Sequence, residues 1–259
     1  MPDFTIVDLL EPDEAPPVRT INPSGTSPFL LIGDHAGNVV PRRLAGLGLP
    51  AADLARHIGW DIGIAKLGER LAARIDAAFI HQVYSRLVVD CNRAPDATDA
   101  MPAVSDATPV PGNAAIDRPA RDARVAAIHA PYQQAVGDAV AQRQAAGHPT
   151  VLVALHSFTP AMGGVARPWQ IGILHNGAND RFARAMLARL GQDERLTVGD
   201  NEPYRMDLID YTVPRHAFAA GLPYAEIEIR QDLLGDDAGI GRWVDLLATA
   251  LPAALAACG

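Results

Sequence analysis

The chain has 259 residues, a length that fits one α/β domain. It carries 22 Lys and Arg residues against 30 Asp and Glu residues, a formal net charge of −8, and 49% of its residues are hydrophobic. This composition excludes an intrinsically disordered chain. It also argues against nonspecific nucleic-acid binding, which requires a basic surface.

Features of membrane and secreted proteins are not expected either. No apolar run in the sequence approaches the roughly 20 residues that cross a bilayer. The acidic, proline-interrupted residues 1–18 lack the basic and apolar regions of a signal peptide. Cys91 and Cys258 are too few for a disulfide framework. We therefore expect a cytoplasmic protein that binds neither nucleic acid nor membrane.

Short apolar runs alternate with longer helical patterns along the chain. Strands are predicted at residues 29–33, 79–83, 86–90, 151–155, 171–174 and 224–229. Helices are predicted from Asp53 to Ile75, at 117–147 with a break before Pro131, at 180–190 and at 241–257. This alternation predicts one α/β domain over residues 1–259, with an extended segment at 1–24 and a mixed or mostly parallel sheet covered by helices on both faces.

Two segments between these elements are predicted to be irregular, at residues 91–118 and 199–214. Long irregular loops are often functional. We expect residues 96–113 to control the size of a ligand pocket.

Histidines follow two of the predicted strands. His35 comes after strand 29–33 and His156 after strand 151–155, and ligands in such sheets bind beyond the carboxyl ends of the strands. Two imidazoles with a carboxylate form a common zinc set that leaves one position for water. The alternative is that each histidine caps its strand through a backbone hydrogen bond, because the spacing is not that of a compact HExxH motif.

Glu228 is a candidate general base. Period-two alternation puts Glu226, Glu228 and Arg230 on one face of the last predicted strand. A carboxylate beside a metal-activated water can act as base and then as acid toward the leaving amine. The alternative is an edge strand with one solvated face and a Glu–Arg pair.

Arg86, Asn92 and Arg93 form a third polar group. Arginine binds carboxylates in a bidentate manner and asparagine adds a neutral donor, so the three residues fit an anion pocket. The alternative is that Asp90 neutralises the arginines in a structural ion pair.

A covalent nucleophile is a weaker hypothesis. Ser157 has no GxSxG elbow around it, and Cys91 would require a histidine partner.

Six motifs, taken in order, resemble the N-formylglutamate amidohydrolase family over about residues 25 to 240. They are Asp34-His35-Ala36-Gly37-Asn38 with Pro41, His57-Ile58-Gly59-Trp60-Asp61, Ser85-Arg86-Leu87-Val88-Val89-Asp90-Cys91-Asn92-Arg93, His156-Ser157-Phe158, Asn201-Glu202-Pro203-Tyr204 and Glu228-Ile229-Arg230-Gln231-Asp232. The resemblance implies a fold related to zinc carboxypeptidases. It also implies a metal-dependent hydrolase that cleaves the amide C–N bond of an N-acyl amino acid such as N-formyl-L-glutamate.

The resemblance also implies roles for individual residues. His35 and His156 would be zinc ligands, and Glu228 would be the catalytic glutamate. Asn92 and Arg93 resemble the pair that holds the substrate's α-carboxylate in zinc carboxypeptidases. Arg86 resembles the arginine that polarises the scissile carbonyl in the same proteins.

The metal motif departs from that of the carboxypeptidases, which use HxxE. The third residue after His35 is Asn38, and an amide oxygen is a poorer zinc ligand than a carboxylate. Asp61 is the alternative third ligand. Tyr204 and Arg230 are further candidate substrate-binding residues.

Two other functions stay open at this point. One is a non-catalytic protein on the same fold that binds an anion through the arginine group. The other is a peptidase or cell-wall amidase that applies the same metal chemistry to a larger substrate.

Overall fold

A computed structural model describes residues 9–177, 179–207 and 209–258 of the protein. The strands are β1 (Val18–Ile21), β2 (Phe29–Gly33), β3 (Ala78–Gln82), β4 (Val104–Ser105), β5 (Thr108–Pro109), β6 (Val151–Phe158), β7 (Ala161–Met162), β8 (Val165–Ala166), β9 (Ile171–Leu174), β10 (Val198–Asp200) and β11 (Tyr224–Arg230). The α-helices are α1 (Ala51–Leu54), α2 (Ile64–Ile75), α3 (Arg118–Arg124), α4 (Ala130–Ala145), α5 (Arg181–Leu190) and α6 (Asp237–Ala257). Shorter helical turns are formed by Arg42–Gly48, Thr98–Ala100, Pro111–Asn113, Val125–His129, Pro214–Phe218 and Gln231–Leu234.

Seven strands form one central sheet in the order β1-β3-β2-β6-β11-β9-β10. The pairs β3–β2, β2–β6, β6–β11 and β9–β10 are parallel, whereas β1–β3 and β11–β9 are antiparallel. The prediction of a mixed, mostly parallel sheet is therefore confirmed. Since β11 lies between β6 and β9, the alternative of a solvated edge strand at Glu228 is wrong.

Helices cover both faces of the sheet, as predicted. On one face, α2, α5 and α6 pack their apolar side chains against the sheet, among them Leu67, Phe182 and Leu247. On the other face, α4 contributes Tyr132 and Val136 to a second core. The two cores share the sheet, so the chain folds as a single mixed α/β domain.

Helix α6 is long and apolar enough to cross a membrane by length and composition, with a mean hydropathy of 1.3 in its most apolar window. Asp237, Arg242 and Asp245 interrupt α6, so it is not a continuous apolar run in the sequence. Trp243, Leu247 and Leu251 of α6 are buried in the core, so its apolar character is used in packing against the sheet.

Several predicted elements differ from the observed ones. Residues 86–88 form a turn and residues 89–90 are irregular, instead of a strand, because Val88 N–H donates to the Ser85 carbonyl and Leu87 N–H to the Ser85 hydroxyl. The helix predicted from Asp53 is broken, and α2 begins only after Gly63, which has a φ of +87°. The break before Pro131 takes the form of a π-helical turn at Val125–His129.

Other boundaries shift less. The strand predicted at 151–155 continues to Phe158, and the segment 199–214 contains the end of β10. Within the segment expected to be extended at 1–24, residues 18–21 form the edge strand β1. Residues 1–8 of that segment lie outside the described residues.

Candidate active site

The site lies at one edge of the sheet, where adjacent parallel strands end. Asp34 and His35 follow β2, and His156 lies near the end of β6. Glu228 of β11 is the direct cross-strand neighbour of His156. Because β2, β6 and β11 are parallel and adjacent, their ends bring these side chains together.

Asp61 reaches this edge from the segment before α2. Its backbone N–H donates to the carbonyl of His35 at 2.8 Å. The carbonyl of Gly59 accepts from the Ser85 hydroxyl at 2.7 Å and from Arg86 N–H at 3.1 Å. These bonds explain why the predicted helix is interrupted here, since the backbone donors and acceptors of residues 59–61 are used to join the loops around the site.

Two imidazoles converge on the carboxylate of Asp61. His156 Nδ1 lies 3.0 Å from Asp61 Oδ2, and His35 Nδ1 lies 3.5 Å from the same oxygen. One ligand atom from each of the three residues lies within 4.8 Å of the others, and all three side chains are buried. His35 Nδ1 has no hydrogen-bond partner among the described residues.

A second carboxylate lies behind each imidazole. His35 Nε2 is 2.7 Å from Asp90 Oδ1, and His156 Nε2 is 3.2 Å from Asp34 Oδ2. Burial lowers the pKa of His156, but the carboxylates of Asp34 and Asp61 outweigh this effect and raise its pKa well above the usual value. Asp90 thus fixes the His35 ring with Nδ1 facing inward, as is usual behind metal-binding histidines. Asp34 lies beside His156 Nε2 as an ion-pair partner, and these two atoms make no hydrogen bond among the described residues.

The three residues fit a divalent cation. Two inward nitrogens and a carboxylate form the nitrogen and oxygen donor set of catalytic zinc sites, and the unpartnered Nδ1 of His35 is the kind of buried lone pair that a metal satisfies. Asn38 is not part of this group, because its side-chain amide donates to the carbonyl of Leu54 at 2.7 Å.

Arg86 borders the same group. Its guanidinium donates to Asp90 Oδ2 at 2.6 Å, and it lies 3.5 Å from Asp61 Oδ1. Burial lowers the pKa of Arg86, and the two carboxylates more than offset this and raise it, so the side chain is charged. The ion pair between Arg86 and Asp90, which the sequence left open as an alternative, is present in the structure.

Glu228 and Glu226 both line the cavity next to these residues. Both side chains are buried, and one oxygen of each, Oε2, has no hydrogen-bond partner among the described residues. Burial raises the pKa of Glu228 to about 7. A carboxyl group with such a pKa can both accept and donate a proton near neutral pH.

The loop after β10 brings Tyr204 to the cavity mouth. A side chain at Gly172 of β9 would lie 1.9 Å from the carbonyl oxygen of Glu202 and 3.6 Å from Glu228 Cβ. Glycine at this position therefore lets the loop pass close to Glu228. The hydroxyl of Tyr204 accepts from Arg167 at 2.9 Å.

Asn92 and Arg93 line the cavity but are engaged by the protein. The side-chain oxygen of Asn92, Oδ1, accepts from the backbone N–H groups of Tyr211 and Thr212, both at 3.0 Å. Asn92 Nδ2 donates to Asp210 at 3.2 Å, so its amide holds the loop before residue 214. Arg93 pairs with Asp99 at 2.9 Å and lies 3.7 Å from Asp210.

Arg230 does not join the other predicted substrate-binding residues. Its guanidinium pairs with Asp232 at 2.8 Å and donates to the carbonyl of Arg167. It is not among the residues that line the cavity. Period-two alternation along the strand predicted Arg230 on the same face as Glu228. Arg230 is the last residue of β11, however, so the alternation does not extend beyond it.

The cavity has a volume of about 420 Å³, within the size range of small-molecule sites. Part of its wall comes from the long loop that was expected to control pocket size, through Asp99, Pro102, Ser105 and Asp106. Other residues that line the cavity are Ile58, Leu87, Phe158, Leu174, Arg205, Asp207 and Asp210.

Neither candidate nucleophile is activated. Burial raises the pKa of the Cys91 thiol well above its usual value. The hydroxyl of Ser157 donates to the backbone carbonyl of Ile62 at 3.0 Å, so its proton is not directed at an imidazole.

Sequence reasoning missed three residues of the site. Asp34 was recognised only within a motif, although a carboxylate next to a strand-end histidine is a recognisable signal. Glu226 was placed on the face of Glu228 without a role of its own. His57, also recognised only within a motif, lines the cavity and lies 3.3 Å from Asp106.

Comparison with known proteins agrees with this geometry. Residues 27–234 match the model of the N-formylglutamate amidohydrolase family. Gene product Atu2144 from Agrobacterium tumefaciens is similar in structure, with 36% sequence identity and a TM-score of 0.93 over 96% of this chain and 98% of that one. No curated protein matches the chain.

A second solved structure is more distant in sequence. N-formylglutamate amidohydrolase from Ralstonia eutropha JMP134 has 18% identity and a TM-score of 0.63, over 93% of this chain and 97% of that one. At this identity the likeness shows the shared fold. The family match, however, covers well over half of the sequence, and the resemblance seen in its motifs is thereby confirmed: this chain belongs to the N-formylglutamate amidohydrolase family and is an amidohydrolase.

Proposed function

We propose that the protein is a metal-dependent amidohydrolase that cleaves the amide C–N bond of an N-acyl amino acid. N-formyl-L-glutamate is the reference substrate because it gives the family its name. The observation that carries the proposal is the convergence of His35, Asp61 and His156 on one buried point beside Glu228.

His35, Asp61 and His156 would hold the cation, and their two nitrogens and one carboxylate suit zinc. When bound, the cation supplies Lewis-acid activation of water and of the amide carbonyl. Asp90 and Asp34 keep the two imidazoles in the orientation that this requires.

Glu228 moves the proton. It accepts a proton from the attacking water as the water oxygen bonds to the acyl carbon, and it returns the proton to the nitrogen as the C–N bond breaks. The products are a carboxylic acid and a free amine. The buried position of Glu228 on a central strand keeps it fixed for both transfers.

Arginines and a tyrosine orient the substrate. Arg86, held by Asp90, stabilises the negative charge that develops on the carbonyl oxygen. Arg93 Nη2 makes no hydrogen bond among the described residues and can receive the α-carboxylate. Tyr204 also lines the cavity. Asn92 acts through the loop that it holds, at Tyr211 and Thr212.

A cavity of about 420 Å³ favours a small molecule as substrate, as expected for the family. The cytoplasmic location expected from the sequence is part of this proposal. The packing of Trp243, Leu247 and Leu251 of α6 in the core argues against a membrane span.

The test combines metal analysis with one substitution. We expect the wild type and the Glu228→Gln variant to bind one zinc ion per chain, and the variant to lose a factor of about 10² to 10⁴ in hydrolysis of N-formyl amino acids. Glu194→Gln, an exposed change outside the cavity, is the control and should retain wild-type activity. Full activity of Glu228→Gln would refute its role, and hydrolysis that survives complete zinc removal would refute metal dependence.

A further inference from the structure

A row of buried, hydrogen-bonded side chains leads to the proposed metal site from outside the cavity. We call it the buried network and define it by His216, Gln133, Thr212 and Asp34, in that order. All four side chains are buried, and none of them lines the cavity. The network therefore does not touch a substrate, and only its last member, Asp34, has a role in the function proposed above.

Three hydrogen bonds connect the members of the buried network. His216 Nε2 lies 2.7 Å from Gln133 Oε1, and Gln133 Nε2 donates to Thr212 Oγ1 at 3.0 Å. The Thr212 hydroxyl in turn donates to Asp34 Oδ1 at 2.6 Å. The other oxygen of this carboxylate, Asp34 Oδ2, lies 3.2 Å from His156 Nε2. The network thus ends at the carboxylate that faces a proposed metal ligand.

A backbone carbonyl fixes the direction of these hydrogen bonds. The carbonyl of Cys91 can only accept, and it lies 2.8 Å from one end of the Gln133 amide, so that end must be the NH₂ group. The opposite end, Oε1, then accepts from His216, whose Nε2 must carry the proton. Burial lowers the pKa of His216 to about 4, so the imidazole is neutral near pH 7 and its proton is the one on Nε2.

This direction aims the proton of the Thr212 hydroxyl at Asp34. The hydroxyl oxygen accepts from Gln133, and its hydrogen has two acceptors within reach, Asp34 Oδ1 at 2.6 Å and the Cys91 carbonyl at 3.2 Å. The carboxylate is the closer acceptor and the charged one, and charge-assisted hydrogen bonds are the stronger kind. Thr212 therefore limits the rotation of the Asp34 carboxylate and keeps its second oxygen at His156.

The backbone of Thr212 is connected to the other imidazole as well. Its N–H donates to Asn92 Oδ1 at 3.0 Å. The backbone N–H of Asn92 donates to Asp90 Oδ1 at 2.9 Å, and the same oxygen lies 2.7 Å from His35 Nε2. The carboxylates beside both imidazoles are thus held through the segment that contains Thr212.

We propose that Thr212 is a positioning residue of the metal site, and that Gln133 and His216 act through it. This inference rests on the proposed function, because it concerns the cation of that site. Thr212 does not line the cavity, so the effect of its hydroxyl passes through Asp34. Removing the hydroxyl should free the carboxylate to rotate and weaken zinc binding, although every ligand atom is still present.

The test measures zinc affinity of the full chain by competition with a chromophoric chelator. Thr212→Val removes the hydroxyl and keeps the shape of the side chain. We expect it to weaken zinc binding about threefold to tenfold, as for the loss of one hydrogen bond. Thr212→Ser keeps the hydroxyl and should bind zinc within about twofold of the wild type, which separates the hydrogen bond from packing.

The matched control is Thr150→Val. Thr150 is also buried, and its hydroxyl donates to the carbonyl of His148 at 3.0 Å, but it does not line the cavity and is not part of the network. The control should bind zinc like the wild type. An equal loss of zinc affinity in Thr150→Val and Thr212→Val would show a general effect of losing a buried hydroxyl and would overturn the inference.

A double substitution shows whether Thr212 acts through Asp34. In the Asp34→Asn background, Thr212→Val should change zinc affinity less than twofold, because the charge that the hydroxyl positions is already gone, and residues that act through one another are not additive. The same loss in both backgrounds would overturn the inference. So would a Thr212→Val affinity within twofold of the wild type.

Nitrogen-15 NMR of the imidazoles in the metal-free protein tests the network without zinc or turnover. We expect neutral His216 at pH 7 with its proton on Nε2, and a proton on Nδ1 would contradict the direction of the network. A wild type that binds zinc but hydrolyses no N-formyl amino acid would refute the proposed function, whereas the zinc affinities of the variants would still decide this inference. A wild type that binds no zinc would overturn both.

Discussion

Replacing Asp34 by asparagine tests how the protein prepares its metal site. Asp34 is buried, with Oδ2 at 3.2 Å from His156 Nε2, and its Oδ1 accepts from the hydroxyl of Thr212 at 2.6 Å. Asparagine keeps the size of the side chain and an acceptor for the Thr212 hydroxyl. It removes the negative charge beside His156 Nε2, which favours a proton on that nitrogen and so leaves Nδ1 as the ligand atom.

The expected magnitude follows from this geometry. Loss of the group behind a metal-binding histidine typically weakens metal affinity about 10- to 100-fold, which is about 1.4 to 2.7 kcal/mol. We expect Asp34→Asn to fall in this range, because the carboxylate contacts one of two imidazoles and the second, His35, keeps its own carboxylate, Asp90.

The assay is zinc competition with a chromophoric chelator. The matched control is Asp180→Asn, because Asp180 is also buried and its Oδ2 lies 3.1 Å from His175 Nδ1, but neither residue lines the cavity. The control should bind zinc like the wild type. Zinc affinity of Asp34→Asn within twofold of the wild type, or an equal loss in both variants, would refute the reasoning.

Three further predictions concern stability and the loops. Leu247→Ala should lower the free energy of unfolding by about 2 to 5 kcal/mol in urea titrations, and an unchanged midpoint would contradict the core position of α6. Burial lowers the pKa of His216 to about 4, against about 6.5 in an unfolded chain. The unfolded state therefore binds this proton more readily, and the wild type should lose about 3 kcal/mol relative to His216→Gln as the pH falls from 7 to 4. Parallel pH profiles of the two proteins would show that His216 does not contribute. Gly172→Ala should cost about 1 to 3 kcal/mol of stability and lower kcat/KM, because the added methyl group would displace the carbonyl of Glu202. A variant as stable and active as the wild type would show that the loop is not held there.

The sequence was informative about the sheet because its central strands are continuous apolar runs. The runs at 29–33, 151–155 and 224–229 all proved to be adjacent parallel strands. The run at 86–90 was misread for the same reason. Leu87 and its neighbours are buried, but they are buried in a turn, and burial alone does not distinguish the two conformations.

The candidate site was predictable where a residue stands at a strand end. This signal identified His35 and His156, whereas Asp61 came from the motif resemblance and lies in a loop whose path depends on tertiary hydrogen bonds. Asn92 is adjacent to the site in sequence and in space, but its side chain turns toward the backbone of residues 211 and 212. Side-chain direction of this kind cannot be obtained from residue spacing.

Anomalous diffraction at the zinc edge from zinc-supplemented crystals tests most directly whether His35, Asp61 and His156 hold one cation. We predict a single strong peak at about 2.0 to 2.2 Å from His35 Nδ1, His156 Nδ1 and an oxygen of Asp61. A peak held by other residues, or a site that stays without zinc at saturating concentrations while the protein hydrolyses its substrate, would contradict the account.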